Sequence, residues 1–292
     1  MKRLHAKFSW RQKYEIRLGF KSGLTDEQVE IYASPEFDWS QMQEIRLGFE
    51  AGLMSEQVTL YAKPEFNVLQ MGTIRAGFKA SLTFEQVKMY ASSKFNWEQM
   101  EEIRLGFEAG LTLEQVSLYA SPEFTWEQMA EIRLGFGEGL TFEQVAMYAK
   151  PEFSKWKMNG FRTGLEMGFT AEQIELYAYP MLDKLQRLAI EVGVKSGLTC
   201  EQIALYAKPY FNSLQMFEIV RGFKCGLTYE QVELYAHSVF NDDQMRQIRS
   251  GFNDKLTYEQ VLEYAEPRFG WMWMYAVRTV SKLKNKLFKK AK

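Results

Sequence analysis

Side chains able to bind a metal ion or to act as a nucleophile are few in this 292-residue sequence. Its two cysteines are Cys200 and Cys225, and its two histidines are His5 and His237. A structural zinc site draws about four ligands from closely spaced Cys and His, and a disulfide framework needs several cysteines. We therefore predict no catalytic, cofactor-binding or metal-binding residues, no enzymatic activity, and a reducing, cytoplasmic location.

Other polar residues with chemical potential recur every 29 residues. An arginine, a Tyr-Ala pair that first occurs at Tyr32 and a Glu-Gln pair that first occurs at Glu27 each keep this spacing. Repeated guanidinium groups would form either a row of anion receptors or a ladder of ion pairs with Glu27-type or Glu44-type carboxylates of neighbouring repeats. We favour the ladder, because arginine is the usual partner in structured ion pairs. The alternative anion row consists of Arg46, Arg75, Arg104, Arg133 and Arg162.

The residues around these positions predict two capped helices in each repeat. The first helix opens at a Ser, Thr, Asp or Asn, and Gln follows three positions later in nearly every repeat, as in Asp38 and Gln41. A Thr-x-Glu-Gln box opens a shorter second helix, so the Glu-Gln pair has a capping role rather than a catalytic one. We expect Gly48 and its equivalents to admit a neighbouring helix, and the tyrosines to pack in the core with their hydroxyls bonded to a neighbouring repeat.

A two-helix unit of this length cannot bury its own apolar face, so successive repeats must stack. The predicted fold is all-α, a right-handed α-solenoid of nine two-helix repeats of 29 residues plus a C-terminal capping helix. We place a basic N-terminal lead at residues 1–8, the repeats at 9–269, and the capping helix with a Lys-rich tail at 270–292. No apolar run reaches the ~20 residues of a membrane span.

The capping segment contains an apolar stripe, formed by Ala276, Val280, Leu283 and Leu287, among lysines. We interpret this segment as a cap with a polar outer face, which terminal repeats require. Attachment to a membrane surface or to nucleic acid is the alternative.

Charge is distributed in blocks along the chain. The formal net charge is −1, yet residues 14–270 contain 24 basic and 37 acidic side chains, whereas the two ends are basic and lack acidic residues. An acidic body has the wrong sign for phosphate binding, so nucleic acid would be bound through the basic termini. A basic or nucleic-acid-binding protein is the partner that suits the body.

One face of the first helix varies among the repeats and is our candidate partner-binding surface. Three registers lie on it at i, i+4 and i+7 spacing, represented by Gln43, Leu47 and Glu50. Repeats 7 and 8 are the least polar part of this face, and apolar, aromatic and Arg side chains dominate interface energies. Relaxed drift of a solvated face is the alternative. The candidate anchors are Leu188, Val192, Lys195, Phe217, Arg221 and Lys224.

At the level of helix–turn–helix units, the chain resembles tetratricopeptide and Sel1-like solenoids, although its period matches neither signature. Its Trp-x-Gln-Met, Ile-Arg-x-Gly-Phe, Gly-Leu-Thr-x-Glu-Gln-Val and Tyr-Ala-x-Pro-Glu-Phe pattern over residues 9–278 is more similar to uncharacterised arrays of gut Firmicutes, their mobile elements and phages. That resemblance implies no function by itself, but a mobile-element origin favours a protein that blocks a host defence.

We therefore expect a non-enzymatic protein-binding scaffold, an inhibitor of a host protein that acts through its acidic solenoid surface. Two alternatives come from other classes. One is a modular nucleic-acid-binding repeat protein. The other is a protein that sequesters a nucleotide or small anion between its arginine and tyrosine rows.

Overall fold

The structure, a computed structural model, describes residues 8–290, of which 288–290 are described in their backbone only. The predicted basic lead therefore lies outside the described residues except for Phe8. Across the described range the chain forms 19 helices and no strands, and the helices pack in the regular pattern of an α-solenoid. None of the helices in this range is long and apolar enough to cross a membrane.

Each repeat contributes a first helix of 12 residues and a shorter second helix. The first helices are α1 Trp10–Lys21, α3 Trp39–Glu50, α5 Val68–Lys79, α7 Trp97–Glu108, α9 Trp126–Gly137, α11 Lys155–Glu166, α13 Lys184–Lys195, α15 Ser213–Lys224 and α17 Asp242–Asn253. The second helices are α2 Asp26–Tyr32, α4 Ser55–Tyr61, α6 Phe84–Tyr90, α8 Leu113–Ser117, α10 Phe142–Ala146, α12 Ala171–Tyr177, α14 Cys200–Tyr206, α16 Tyr229–Glu233 and α18 Tyr258–Leu262. The last helix is α19 Trp271–Lys290.

The predicted capping boxes are present and mark the helix starts. Asn96 accepts from the backbone N–H of Gln99 at 2.8 Å, and the Gln99 side chain accepts from the Asn96 N–H at 2.8 Å. In the second helix of the same repeat, Thr112 and Gln115 make the same reciprocal pair. Both boxes satisfy donors that a helix start leaves without partners. The Glu-Gln pairs therefore serve the helix ends, as predicted.

The glutamine of the first box has a second bond that the sequence reasoning missed. Gln99 Nε2 donates to the carbonyl oxygen of Phe124 at 2.6 Å, in the turn that leads to the next repeat. The amide thereby ties the start of the first helix to the Pro-Glu-Phe turn, whose Phe124 ring is buried. Glutamines of eight repeats make this bond, namely Gln12, Gln41, Gln70, Gln99, Gln128, Gln186, Gln215 and Gln244. Lys157 occupies the position in repeat 6.

The repeated tyrosine and glycine form one packing device, which differs from our prediction. The Tyr119 ring is fully buried, and its hydroxyl donates to the carbonyl oxygen of Glu102 in the first helix of its own repeat. A Cβ on Gly106 would lie 2.0 Å from that hydroxyl oxygen. The glycine therefore admits a neighbouring helix, the second helix of its own repeat, but the tyrosine hydroxyl bonds within that repeat and not to a neighbouring one. The same device occurs in repeat 8, where Tyr235 lies against Gly222.

Two compact parts make up the chain, Met1–Met158 and Asn159–Lys292. In the first part, consecutive first helices from α1 to α9 pack side by side, and the second helices α2, α4 and α6 pack against the first helix that follows. In the second part, α13, α15, α17 and α19 pack in the same sequence. Met, Ile and Phe of the first helices fill the core, whereas Trp39 at the start of α3 is 39% exposed.

The last helix packs on α17 but does not present a polar outer face, so that expectation is wrong. Met274 and Ser281 are buried against the body. The apolar stripe points to solvent instead, with Val280 50%, Leu283 54% and Leu287 69% exposed.

Candidate partner-binding site

An ion-pair ladder connects successive first helices in the N-terminal part. Arg75 Nε donates to Glu44 Oε2 at 2.9 Å, and Arg133 Nε donates to Glu102 Oε2 at 2.8 Å. The pair of Arg46 with Glu15, at 2.9 Å, is the most buried, with both side chains under a tenth exposed. Burial lowers the pKa of Arg46, but hydrogen bonds to Glu50 and Glu15 outweigh it, so the pKa is raised above its ordinary value. The Glu44-type pairing that we favoured is present at these three steps.

The other two members of the candidate anion row pair within their own helices. Thr73 stands where Arg104 would find its glutamate, and Arg104 instead pairs with Glu101 and Glu108. Arg162 donates to Glu166 at 2.8 Å. Every arginine of the row thus contacts a carboxylate. That the row acts as an anion receptor stays the alternative prediction.

The step from repeat 7 to repeat 8 lacks the ladder pair altogether. Ala189 occupies the glutamate register and Val220 the arginine register, and both side chains are buried. At four other steps a guanidinium crosses between the first helices, from Arg46, Arg75, Arg133 and Arg249, whereas the side chains of Ala189 and Val220 are short and apolar. A cavity of about 450 Å³ lies here, lined by Val192, Phe217, Val220, Arg221, Lys224, Cys225 and Arg249.

The mouth of this cavity carries more positive than negative charge. Glu218, whose side chain is 2% exposed, accepts from Arg221 at 2.6 Å, from Arg249 at 2.9 Å and from Arg246 at 3.5 Å. Arg246 has a further partner in Asp243, at 3.0 Å. One buried carboxylate therefore neutralises only part of the charge of three guanidiniums, and Lys224 is exposed beside them. Such a rim attracts an anionic group, while the valines and Phe217 accept an apolar one.

Four of the six predicted anchors lie together around this cavity: Val192, Phe217, Arg221 and Lys224. Leu188 and Lys195 do not line it. Leu188 is 41% exposed on the same helix as Val192, and Lys195 pairs with Glu191. The sequence reasoning missed Val220, Cys225 and Arg249 of the lining. The signal for Val220 was its break of the arginine register, combined with Ala189 in the glutamate register.

A second cavity, of about 340 Å³, lies between the first helices of repeats 4 and 5. Trp97 and Trp126 form its aromatic part, and Glu98, Glu101 and Glu102 supply carboxylates. The tryptophans are 39% and 43% exposed. Aromatic faces beside carboxylates suit a cationic side chain through cation–π and ionic attraction. The sequence reasoning missed this site, because Trp97 and Trp126 recur at one register and no departure from the repeat marks them.

Comparison of the chain with known proteins does not extend this description: no protein family and no curated protein matches it. The candidate site therefore depends on its own geometry.

Proposed function

We propose that this chain is a non-enzymatic scaffold that binds another protein, with its principal anchor in the cavity of repeats 7 and 8. The proposal depends on the cavity beside Val220, where Val192 and Phe217 supply apolar surface and Arg221 and Lys224 supply positive charge. In repeats 2, 3, 5 and 9, by contrast, Arg46, Arg75, Arg133 and Arg249 cross to the preceding first helix. A cavity with an apolar floor and satisfied polar neighbours is the usual place for a binding hot spot.

The cavity indicates the chemistry of the partner's anchoring segment. Val192, Phe217 and Val220 would contact an apolar side chain, and Arg221 and Lys224 would pair with a carboxylate next to it. We expect a segment in which a large apolar residue is flanked by Asp or Glu. Arginine suits this role because its guanidinium binds a carboxylate through two parallel hydrogen bonds.

The tryptophan-lined cavity supports a basic surface elsewhere on the partner. Residues 14–182 contain 25 acidic and 14 basic side chains, whereas repeats 7 and 8 contain six of each. The acidic repeats would attract basic groups, one of which would enter between Trp97 and Trp126. An inhibitor that competes for a nucleic-acid-binding surface is the more specific version of this proposal, and the resemblance to mobile-element arrays favours it.

A pull-down with matched variants tests the proposal. The chain is used as bait in lysate of a bacterial host, after nuclease treatment, at low and at moderate salt. Arg221→Glu should lose the captured protein, and Leu134→Glu, at the same register three repeats earlier, should retain it. Recovery that depends on nucleic acid, or equal capture by both variants and the original chain, would overturn the proposal. Binding to the acidic repeats should also weaken as salt rises.

Cys225 provides a direct readout of cavity occupancy, because it is exposed and lines the cavity. A bound partner should slow its alkylation. Cys200 is the internal control, since it lies outside the cavity lining and burial together with Glu172 raises the pKa of its thiol. Unchanged alkylation of Cys225 in the purified complex would place the partner elsewhere.

A nucleotide or another aromatic anion is the second candidate ligand, favoured by Phe217 beside Arg221 and Lys224. Binding of such a ligand to the folded state would raise the melting temperature. A thermal-shift series with nucleoside triphosphates tests this function, with Arg221→Glu as the control. Absence of any shift in the original chain would eliminate it.

A further inference from the structure

The helix α19 lacks three residues that recur in most of the preceding first helices. Trp273 stands in the register of the glutamine that ties down the next turn, and Ala276 stands in the register of the ladder glutamate. Val280 replaces the glycine that admits a tyrosine. The helix therefore retains the side that packs on α17 but lacks the groups that tie down a second helix and its turn.

The side of α19 opposite the body is apolar and exposed. With 100° between successive residues, Met272, Ala276, Val280, Leu283 and Leu287 share one face, opposite the buried Met274 and Ser281. Met272 and Leu287 are 68% and 69% exposed. The exposed apolar stripe is about 22 Å long, at ~1.5 Å for each of the 15 steps from Met272 to Leu287, and it indicates a partner surface that is itself apolar.

Lysines border the stripe on both sides. Lys284 lies at one edge and Lys286 at the other, and both are exposed. Lys282 and Arg278 point toward the body instead, where both face Asp254. Residues 271–292 contain seven basic side chains and no acidic one. The aromatic residues Trp273 and Tyr275, 45% and 50% exposed, lie at the start of the same helix.

From this arrangement we infer that α19 binds the surface of an anionic lipid bilayer, with its apolar stripe inserted among the acyl chains and its lysines at the phosphate level. An apolar face flanked by lysines, with aromatic residues near its margin, is the pattern of helices that lie in a membrane interface. Nucleic acid would account for the lysines but would leave the apolar stripe in water. The inference is independent of the partner-binding cavity in repeats 7 and 8.

Vesicle co-sedimentation of the full chain tests the inference. The probes are phosphatidylcholine vesicles with and without about one quarter phosphatidylserine. We expect binding to the anionic vesicles and weak binding to the neutral ones. Val280→Glu combined with Leu283→Glu should lower the partition coefficient more than ten-fold, on the order of two buried apolar side chains. Lys284→Glu with Lys286→Glu should lower it at least about ten-fold, at ~5-fold for each lysine removed.

A matched control shows that the loss is specific to this helix. Leu185→Glu combined with Leu214→Glu changes two leucines that are 55% and 58% exposed outside α19, and should bind vesicles like the original chain. Absence of vesicle binding by the original chain would overturn the inference. So would binding to RNA or DNA that is lost only in the lysine variant, or a dimer in sedimentation analysis that the Val280 and Leu283 variant dissociates.

Discussion

Repeats 4 and 5 and repeats 7 and 8 share one frame and differ at a single ladder step. In the former, Arg133 crosses to Glu102, and the exposed face carries tryptophans and carboxylates. In the latter, Val220 and Ala189 replace that pair, and a cavity with a cationic rim takes its place. In these four repeats the capping boxes and the tyrosine devices hold the two helices together, which leaves the ladder register open to change.

The tyrosine devices should make both regions less stable to unfolding at high pH. Burial raises the pKa of Tyr32 to about 12, and burial also raises the pKa of Tyr119 and Tyr235. Above pH ~10 the unfolded chain loses these phenolic protons while the folded chain keeps them, so stability falls as pH rises. Each tyrosine contributes up to ~1.4 kcal/mol per pH unit.

Urea unfolding followed by circular dichroism at successive pH values between neutral and strongly alkaline measures this effect. Tyr119→Phe should reduce the slope above pH ~10, whereas a change of the exposed Tyr14 should not. A midpoint that stays constant up to pH ~12 would contradict the burial of the tyrosine hydroxyls.

Removal of a buried carboxylate charge should destabilise repeats 7 and 8 more than repeats 4 and 5. Glu218→Gln leaves three guanidiniums without their shared charge partner and should cost ~3–5 kcal/mol. Glu102→Gln removes the partner of one arginine that is 22% exposed, and should cost less, because water screens that arginine. The urea midpoints of the two variants provide the comparison. Equal losses would mean that Glu218 is no more central than an ordinary ladder glutamate.

The tyrosine device should be equally demanding wherever it occurs. Gly106→Ala places a methyl group against the Tyr119 hydroxyl and should destabilise the chain by ~1–3 kcal/mol. Adding Tyr119→Phe removes the clashing oxygen, so the double variant should recover most of that loss. Gly222→Ala with Tyr235→Phe is the equivalent test beside the cavity. Additive losses in the double variants, measured by urea unfolding, would refute the proposed contact.

Much of the fold could be read from the sequence because its determinants are local. Capping residues bond to N–H groups two or three positions away, so the spacing of Asn96 and Gln99 predicts their capping box. The ion-pair ladder could also be predicted, because Glu44 and Arg75 lie at registers of opposite charge. The direction of the Tyr119 hydroxyl could not be predicted from the sequence, because residue spacing alone does not show which of two neighbouring helices a buried ring approaches.

The candidate site was predictable only in part for the same reason. Phe217 and Arg221 stand out because they depart from their registers. Val220 lines the cavity because it is a short residue in the arginine register. Arg249 lines it from the first helix of the next repeat. Neither contribution is visible from a single register of the sequence. The exposure of the α19 stripe could not be predicted, because the segment has two apolar faces and the sequence does not show which of them packs against α17.

Restoring the missing ladder pair shows whether the partner binds in the cavity of repeats 7 and 8. Ala189→Glu with Val220→Arg should rebuild the pair that Glu44 and Arg75 make, fill the cavity and preserve the fold. The reverse change, Glu44→Ala with Arg75→Val, is the matched control in repeats 2 and 3, outside both cavities. With the captured partner quantified on each bait, the account predicts loss of binding in the restored variant and retention in the control. Full binding by a folded, restored variant would contradict it.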